Sequence, residues 1–137
     1  MKVKKAIASG GAVAILAASG ILASAPSASA TVDCNLNWFC LYYNSRLHGA
    51  WYGTLTNEPN LDRYTFEAMG ESAGHRKPVK NNAGSAWNRS THAVRVYFNS
   101  GYRGAYDVVP ARDDPKGDPV SDLPKTKNNN ASILWMQ

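Results

Sequence analysis

Val96-Tyr97-Phe98-Asn99-Ser100-Gly101-Tyr102-Arg103-Gly104-Ala105-Tyr106 repeats a pattern already met at Leu41-Tyr42-Tyr43-Asn44-Ser45-Arg46-Leu47-His48-Gly49-Ala50-Trp51. Tyr, Asn, Ser, Gly and Ala coincide at matching positions, and most other positions keep their aromatic or aliphatic character. A second echo follows each copy: Asn81-Asn82-Ala83-Gly84-Ser85-Ala86-Trp87, and later Asn128-Asn129-Asn130-Ala131-Ser132-Ile133-Leu134-Trp135. Self-similarity at a period of about 50 residues marks a duplicated unit. Within each copy the local signal is β. Val94, Val96 and Phe98 alternate with Arg95 and Tyr97, and Phe39, Leu41 and Tyr43 repeat the alternation, so both runs are predicted as opening strands with one buried face. Asn-Ser then breaks each run. Gly49 and Gly104 supply residues that tolerate positive φ where the chain folds back into Trp51 to Leu55 or Tyr106 to Val109.

Outward from the repeat, the chain divides simply. Met1 to Ala30 carries Lys2, Lys4 and Lys5, an apolar stretch around Ala12 to Ala23, and the small residues Ala28-Ser29-Ala30. That is the pattern of a secretory signal peptide cleaved after Ala30. Gly10, Gly11, Ser19 and Gly20 interrupt the apolar run and weigh against a membrane anchor. The 137-residue chain has net charge +5, but removing the three leader lysines leaves 12 cationic side chains against 10 anionic ones. Nucleic acid loses its main argument, and no segment of the mature part 31–137 suits a membrane span. A chain of that length holds one domain of two packed layers, expected to be monomeric because each half supplies the other's partner surface. Cys34 and Cys40 are the only cysteines. Exported to an oxidising compartment, they are expected to form a disulfide that pins the first strand.

The remaining strands complete the pattern. Leu61, Tyr64 and Phe66 suit a third strand, while Leu61, Tyr64, Ala68 and Met69 suit a short helix; we take the strand. In the second unit Pro115, Pro119 and Pro124 leave only Val120 and Leu123 as buried candidates, so the third strand there is expected to be short and at an edge. Closing strands fall at Ser85 to Arg89 and Ser132 to Met136. Four strands twice over, with long third connections, give an all-β sandwich of two Greek keys, about 33–91 and 92–137.

Tyr97-x-x-x-x-Tyr102-x-Gly104 resembles the aromatic-x4-aromatic-x-Gly signature of a βγ-crystallin Greek key. Tyr42-x-x-x-x-Leu47-x-Gly49 is similar, with Leu47 in place of the second aromatic. Trp38-Phe39-Cys40-Leu41-Tyr42 and Val79-Lys80-Asn81-Asn82-Ala83-Gly84-Ser85-Ala86-Trp87-Asn88-Arg89 resemble a narrower group. This is a family of secreted bacterial peptidase inhibitors built on the βγ-crystallin fold, whose type member inhibits metalloproteinases. The resemblance implies an extracellular peptidase as partner, blocked reversibly by a loop.

The longest connection, about Glu67 to Lys80, is the first candidate for that loop. Arg76, Lys77 and Lys80 around Pro78-Val79 suit an acidic peptidase surface, and Val79 suits an apolar subsite. Two glycines and no disulfide leave the segment looser than a braced reactive loop. Asp107 to Pro119, stiffened by prolines, is a second candidate. Calcium-binding βγ-crystallins carry (Asn/Asp)-(Asn/Asp)-x-x-(Ser/Thr)-Ser before each closing strand. Here Asn81, Asn82 and Ser85 match it in one unit, and Asn128, Asn129 and Ser132 in the other, with Ala86 and Ile133 departing at the last position. Without a carboxylate at the first two positions, a tight Asn turn is the stronger reading. Calcium is an optional ligand, and no cofactor is required. A calcium-binding structural or stress protein, and a secreted antimicrobial toxin of the same fold, are the alternative functions. An enzyme is not expected. His48, His75 and His92 stand outside any His-Glu-x-x-His motif, and adjacent Asp113 and Asp114 beside Pro115 lack the separation that acid–base work needs.

Overall fold

A computed structural model describes residues 34–67 and 73–137. Among the described residues seven strands appear: β1 Phe39–Tyr42, β2 Trp51–Thr54, β3 Ser85–Asn88, β4 Val94–Asn99, β5 Arg103–Val109, β6 Val120–Ser121 and β7 Ser132–Trp135. They form two antiparallel sheets, ordered β2-β1-β3-β6 and β5-β4-β7. Phe39, Leu41 and Ala86 from the first sheet meet Val94, Val96, Val109 and Ile133 from the second, all fully buried in one core.

The units exchange their third segments. β6 belongs to the second unit by sequence, yet it pairs with β3 of the first through Ala86↔Ser121 and Trp87↔Val120. In return, Glu58 of the first unit bridges Ile133 of β7, with reciprocal backbone hydrogen bonds of 2.9 Å each way. Neither sheet is complete within its own unit.

Each opening hairpin folds over its own tip. Arg46 and Leu47, and at the equivalent places Gly101 and Tyr102, take left-handed φ between 56° and 70°. Gly49 and Gly104 both have φ +83°, the conformation expected of them. Tyr97 and Tyr102, the signature aromatics of the second unit, meet edge to face with centroids 6.2 Å apart, and Leu47 packs beside Tyr42 in the first.

Three expectations need correction. Phe98 does not continue the buried face: the register shifts between Tyr97 and Asn99 and leaves Phe98 42% exposed, while Tyr97, on the face opposite Val96, is buried under Tyr102 and Tyr106. A bulge of this kind lets the strand bend into the folded tip. Leu61, Tyr64 and Phe66 form no strand. Asn60 accepts a hydrogen bond from Asp62 N–H and caps a 3-10 turn at Leu61–Arg63. Among the described residues only the isolated bridges Thr65↔Pro78 and Trp51↔Glu67 follow it. In the first opening strand Tyr43 lies beyond β1, half-buried against the Phe66 ring. β6, in contrast, is short and at a sheet edge as read.

β1 is buried on both faces. Its outward residues Cys40 and Tyr42 are covered by Cys34, Trp38, Trp51 and Trp87. The Cys34–Cys40 disulfide, with Cα atoms 5.9 Å apart, holds that cover in place.

Candidate functional site

The described end of the connection, Ala73 to Lys80, returns alongside Tyr64 and Phe66. Phe66 N–H donates to Lys77 O, Arg76 N–H to Phe66 O and Val79 N–H to Tyr64 O, at 2.9 to 3.0 Å. Lys77 N–H closes a turn on Gly74 O at 2.9 Å, and Ala50 N–H donates to Ala73 O at 2.8 Å from the neighbouring hairpin. Gly74 has φ +84°, and a Cβ there would lie 2.2 Å from Tyr43 Cγ, so only glycine lets the turn rest on that ring. Arg76 is left-handed as well, with φ 63°. The described part of the segment expected to be loose, Ala73 to Lys80, is therefore braced by backbone bonds and an aromatic ring instead of a disulfide.

Of the five residues read as an inhibitory loop, the structure offers three. Arg76, Lys77 and Pro78 are exposed, together with Ala73 and His75. Val79 is fully buried in the core, so it anchors the turn and cannot fill a subsite elsewhere. Lys80 is half-buried, with Nζ donating to Asn60 Oδ1 at 3.2 Å. Residues 68–72 lie outside the described residues, Ala68 and Met69 of the alternative helix among them. The second candidate connection carries exposed Asp113 and Asp114, and the latter's Oδ1 accepts the N–H of Lys116 at 2.9 Å.

The Asn-rich turns are placed symmetrically. Asn81 (φ 64°) and Asn128 (φ 57°) occupy left-handed geometry, and Asn82 and Asn129 donate their side-chain amides to Lys80 O and Lys127 O. Ser85 Oγ donates to Asn44 O at 2.6 Å and accepts from Leu47 N–H at 3.0 Å. Ser132 Oγ does the same with Asn99 O and Tyr102 N–H, at 2.6 and 3.0 Å. These serines staple the folded hairpins. A hard divalent cation wants six to eight oxygens, several of them anionic. The residues lining the cavity beside Asn81 and Asn82 are Tyr43, Asn44, Ser45, Lys127 and Asn128, with no carboxylate among them. That donor set does not fit calcium.

Sequence reading passed over one constellation. Glu58 is 8% exposed, and no basic group is among the hydrogen-bond partners the structure gives it. Its Oε1 accepts from Thr54 and Thr56 hydroxyls at 3.0 Å, and its Oε2 from Tyr64 at 2.7 Å. Burial first, then the Glu58 charge, pushes the Tyr52 phenol well above its usual range; Tyr64 is raised chiefly by its hydrogen bond to Glu58. A lone Glu between Asn57 and Pro59 gives no periodic signal, although the hydroxyl residues at Thr54 and Thr56 hint at it.

What this arrangement presents is a basic, exposed turn held by backbone hydrogen bonds. Residues 27–109, more than half the chain, match the model of peptidase inhibitor family I36. The chain belongs to that family. As a member it is a peptidase inhibitor and not an enzyme, with a peptidase as its partner. The span matched by the I36 family includes the braced turn and stops at the end of β5, short of the 110–119 connection. No curated protein sequence matches the chain. Among solved structures, one concerned with the evolution of the eye lens βγ-crystallin domain fold superposes with a TM-score of 0.55 at 8% identity, covering 74% of this chain and 87% of that one. The N-terminal domain of Protein S superposes with a TM-score of 0.50 at 19% identity, covering 73% and 96%. At such identities the likeness is one of fold: this inhibitor has the βγ-crystallin fold.

Proposed function

We propose that this chain is a secreted, monomeric inhibitor of an extracellular metallopeptidase, and that it works by reversible occlusion of the active site with the turn Ala73–Pro78. Its signal for export is Met1 to Ala30. The observation that carries the reading is the brace: exposed His75, Arg76, Lys77 and Pro78 sit on a backbone fixed to Phe66, Tyr64 and Ala50. A turn fixed before docking loses little entropy on binding, and it keeps its ends in place if clipped. Arg76 and Lys77 supply charge complementary to an acidic cleft rim.

Titration of the secreted chain against a thermolysin-like metallopeptidase tests this. Activity is expected to fall toward zero near equimolar inhibitor, and full activity at a large molar excess would remove the proposal. Arg76→Ala with Lys77→Ala is expected to raise the inhibition constant about five- to thirtyfold, since each rim charge contributes about 0.5–1 kcal/mol.

A further inference from the structure

The internal repeat pairs Lys80-Asn81-Asn82 with Lys127-Asn128-Asn129, and Asn44-Ser45 with Asn99-Ser100. The two lysines make related but unequal connections. Lys127 Nζ donates to Ser45 Oγ at the first hairpin tip, 82 residues away. Lys80 Nζ donates to Asn60 Oδ1, and the same oxygen accepts from Ser100 Oγ of the second hairpin, both at 3.2 Å. Lys127 thus runs directly from the turn before its closing strand to the tip of the opposite unit's hairpin, while Lys80 stays within its own unit and shares Asn60 Oδ1 with Ser100 of the opposite hairpin. The Lys127 junction borders a cavity of about 430 Å³ whose lining is rich in amides and hydroxyls. A single tethered positive charge suits such neutral oxygens, whereas a divalent ion would shed its water there without an anionic replacement.

We propose that Lys80 and Lys127 are the fold's own cations, ammonium groups that close each hairpin onto the opposite unit, Lys127 directly and Lys80 through Asn60, so that the domain takes no calcium at its Asn-rich turns. The inference concerns closure of the fold and is independent of which peptidase is inhibited.

Thermal unfolding of the secreted chain, in a chelator and then in calcium at about 10 mM, is the test, because a site of millimolar Kd would raise Tm by several degrees. The wild type is expected to melt at the same temperature in both. Lys127→Met and Lys80→Met are each expected to lower Tm by about 2–5 °C, with the Arg variants recovering most of the loss. Lys127→Asp, which places a carboxylate among the same amides, is expected to melt lower in chelator and to recover on adding calcium, a change also readable by circular dichroism. A calcium-dependent rise in the wild type overturns the proposal. So do Met variants that melt with the wild type, or an Asp variant indifferent to calcium.

Discussion

Single residues carry much of this fold because the tips of its hairpins are strained and must be held. Ser85 and Ser132 each donate one hydrogen bond and accept another across a folded tip. Ser132→Ala leaves Tyr102 N–H and Asn99 O without that partner, so we expect a loss of about 1–3 kcal/mol in chemical denaturation. Ser85→Ala should cost a similar amount through Leu47 and Asn44. Gly74 makes a sharper prediction. Gly74→Ala forces a Cβ into the Tyr43 ring at positive φ, and we expect inhibition to weaken about tenfold while global stability falls by about 1–3 kcal/mol. Equal inhibition by the Ala variant would show that the turn does not act through its rigidity. Tyr52 and Tyr64 predict a pH effect. Their phenols are raised in the folded state, the first by burial and the second by its bond to Glu58, so the unfolded chain ionises first as pH rises. The stability they contribute is complete below about pH 10 and is lost as pH climbs beyond it. Denaturation midpoints at neutral and strongly alkaline pH check the sign, and Tyr52→Phe should flatten the alkaline limb.

At the level of elements, the disulfide belongs to the outer cover of β1 and not to the sandwich core. Cys34→Ser with Cys40→Ser removes a very short closed loop, so we expect about 2 kcal/mol lost in denaturation, with inhibition retained by the folded fraction. This separation explains what sequence could reveal. Opening and closing strands were legible because Val94, Val96, Phe39 and Leu41 follow period 2, and because the pattern occurs twice. Phe98 departs from that pattern because a bulge is a backbone event that leaves alternation in the sequence intact while turning Phe98 away from the core. The segment after Asn60 was misread for a different reason: Leu61, Tyr64 and Phe66 are all needed for packing, Leu61 and Phe66 fully buried and Tyr64 stacked on Tyr52 at 4.8 Å, and packing does not require a ladder. The basic turn was found by its charge, but its brace was not legible. Nothing in the composition of Glu67 to Lys80 says that Tyr43, far off in sequence, lies under Gly74, or that Val79 faces inward.

For the whole molecule, the exchange of third segments makes the two units a single cooperative object. Residues 34–91 alone would lack β6 at the edge of β3, and residues 92–137 alone would lack the Glu58 bridge to β7. We expect neither half to show the near-ultraviolet circular dichroism of a packed core when produced separately, and we expect the equimolar mixture to regain it. Independent folding of either half would contradict the exchange.

The same interleaving bears on how such a molecule survives among the proteolytic enzymes it meets. A single nick in the Ser90 to Ala93 link would leave each fragment clasped by a strand or bridge from the other, so scission there would not release a loose end to be digested further. Durability of this sort lies in the weave of the chain, and it persists after the chain's own continuity is gone.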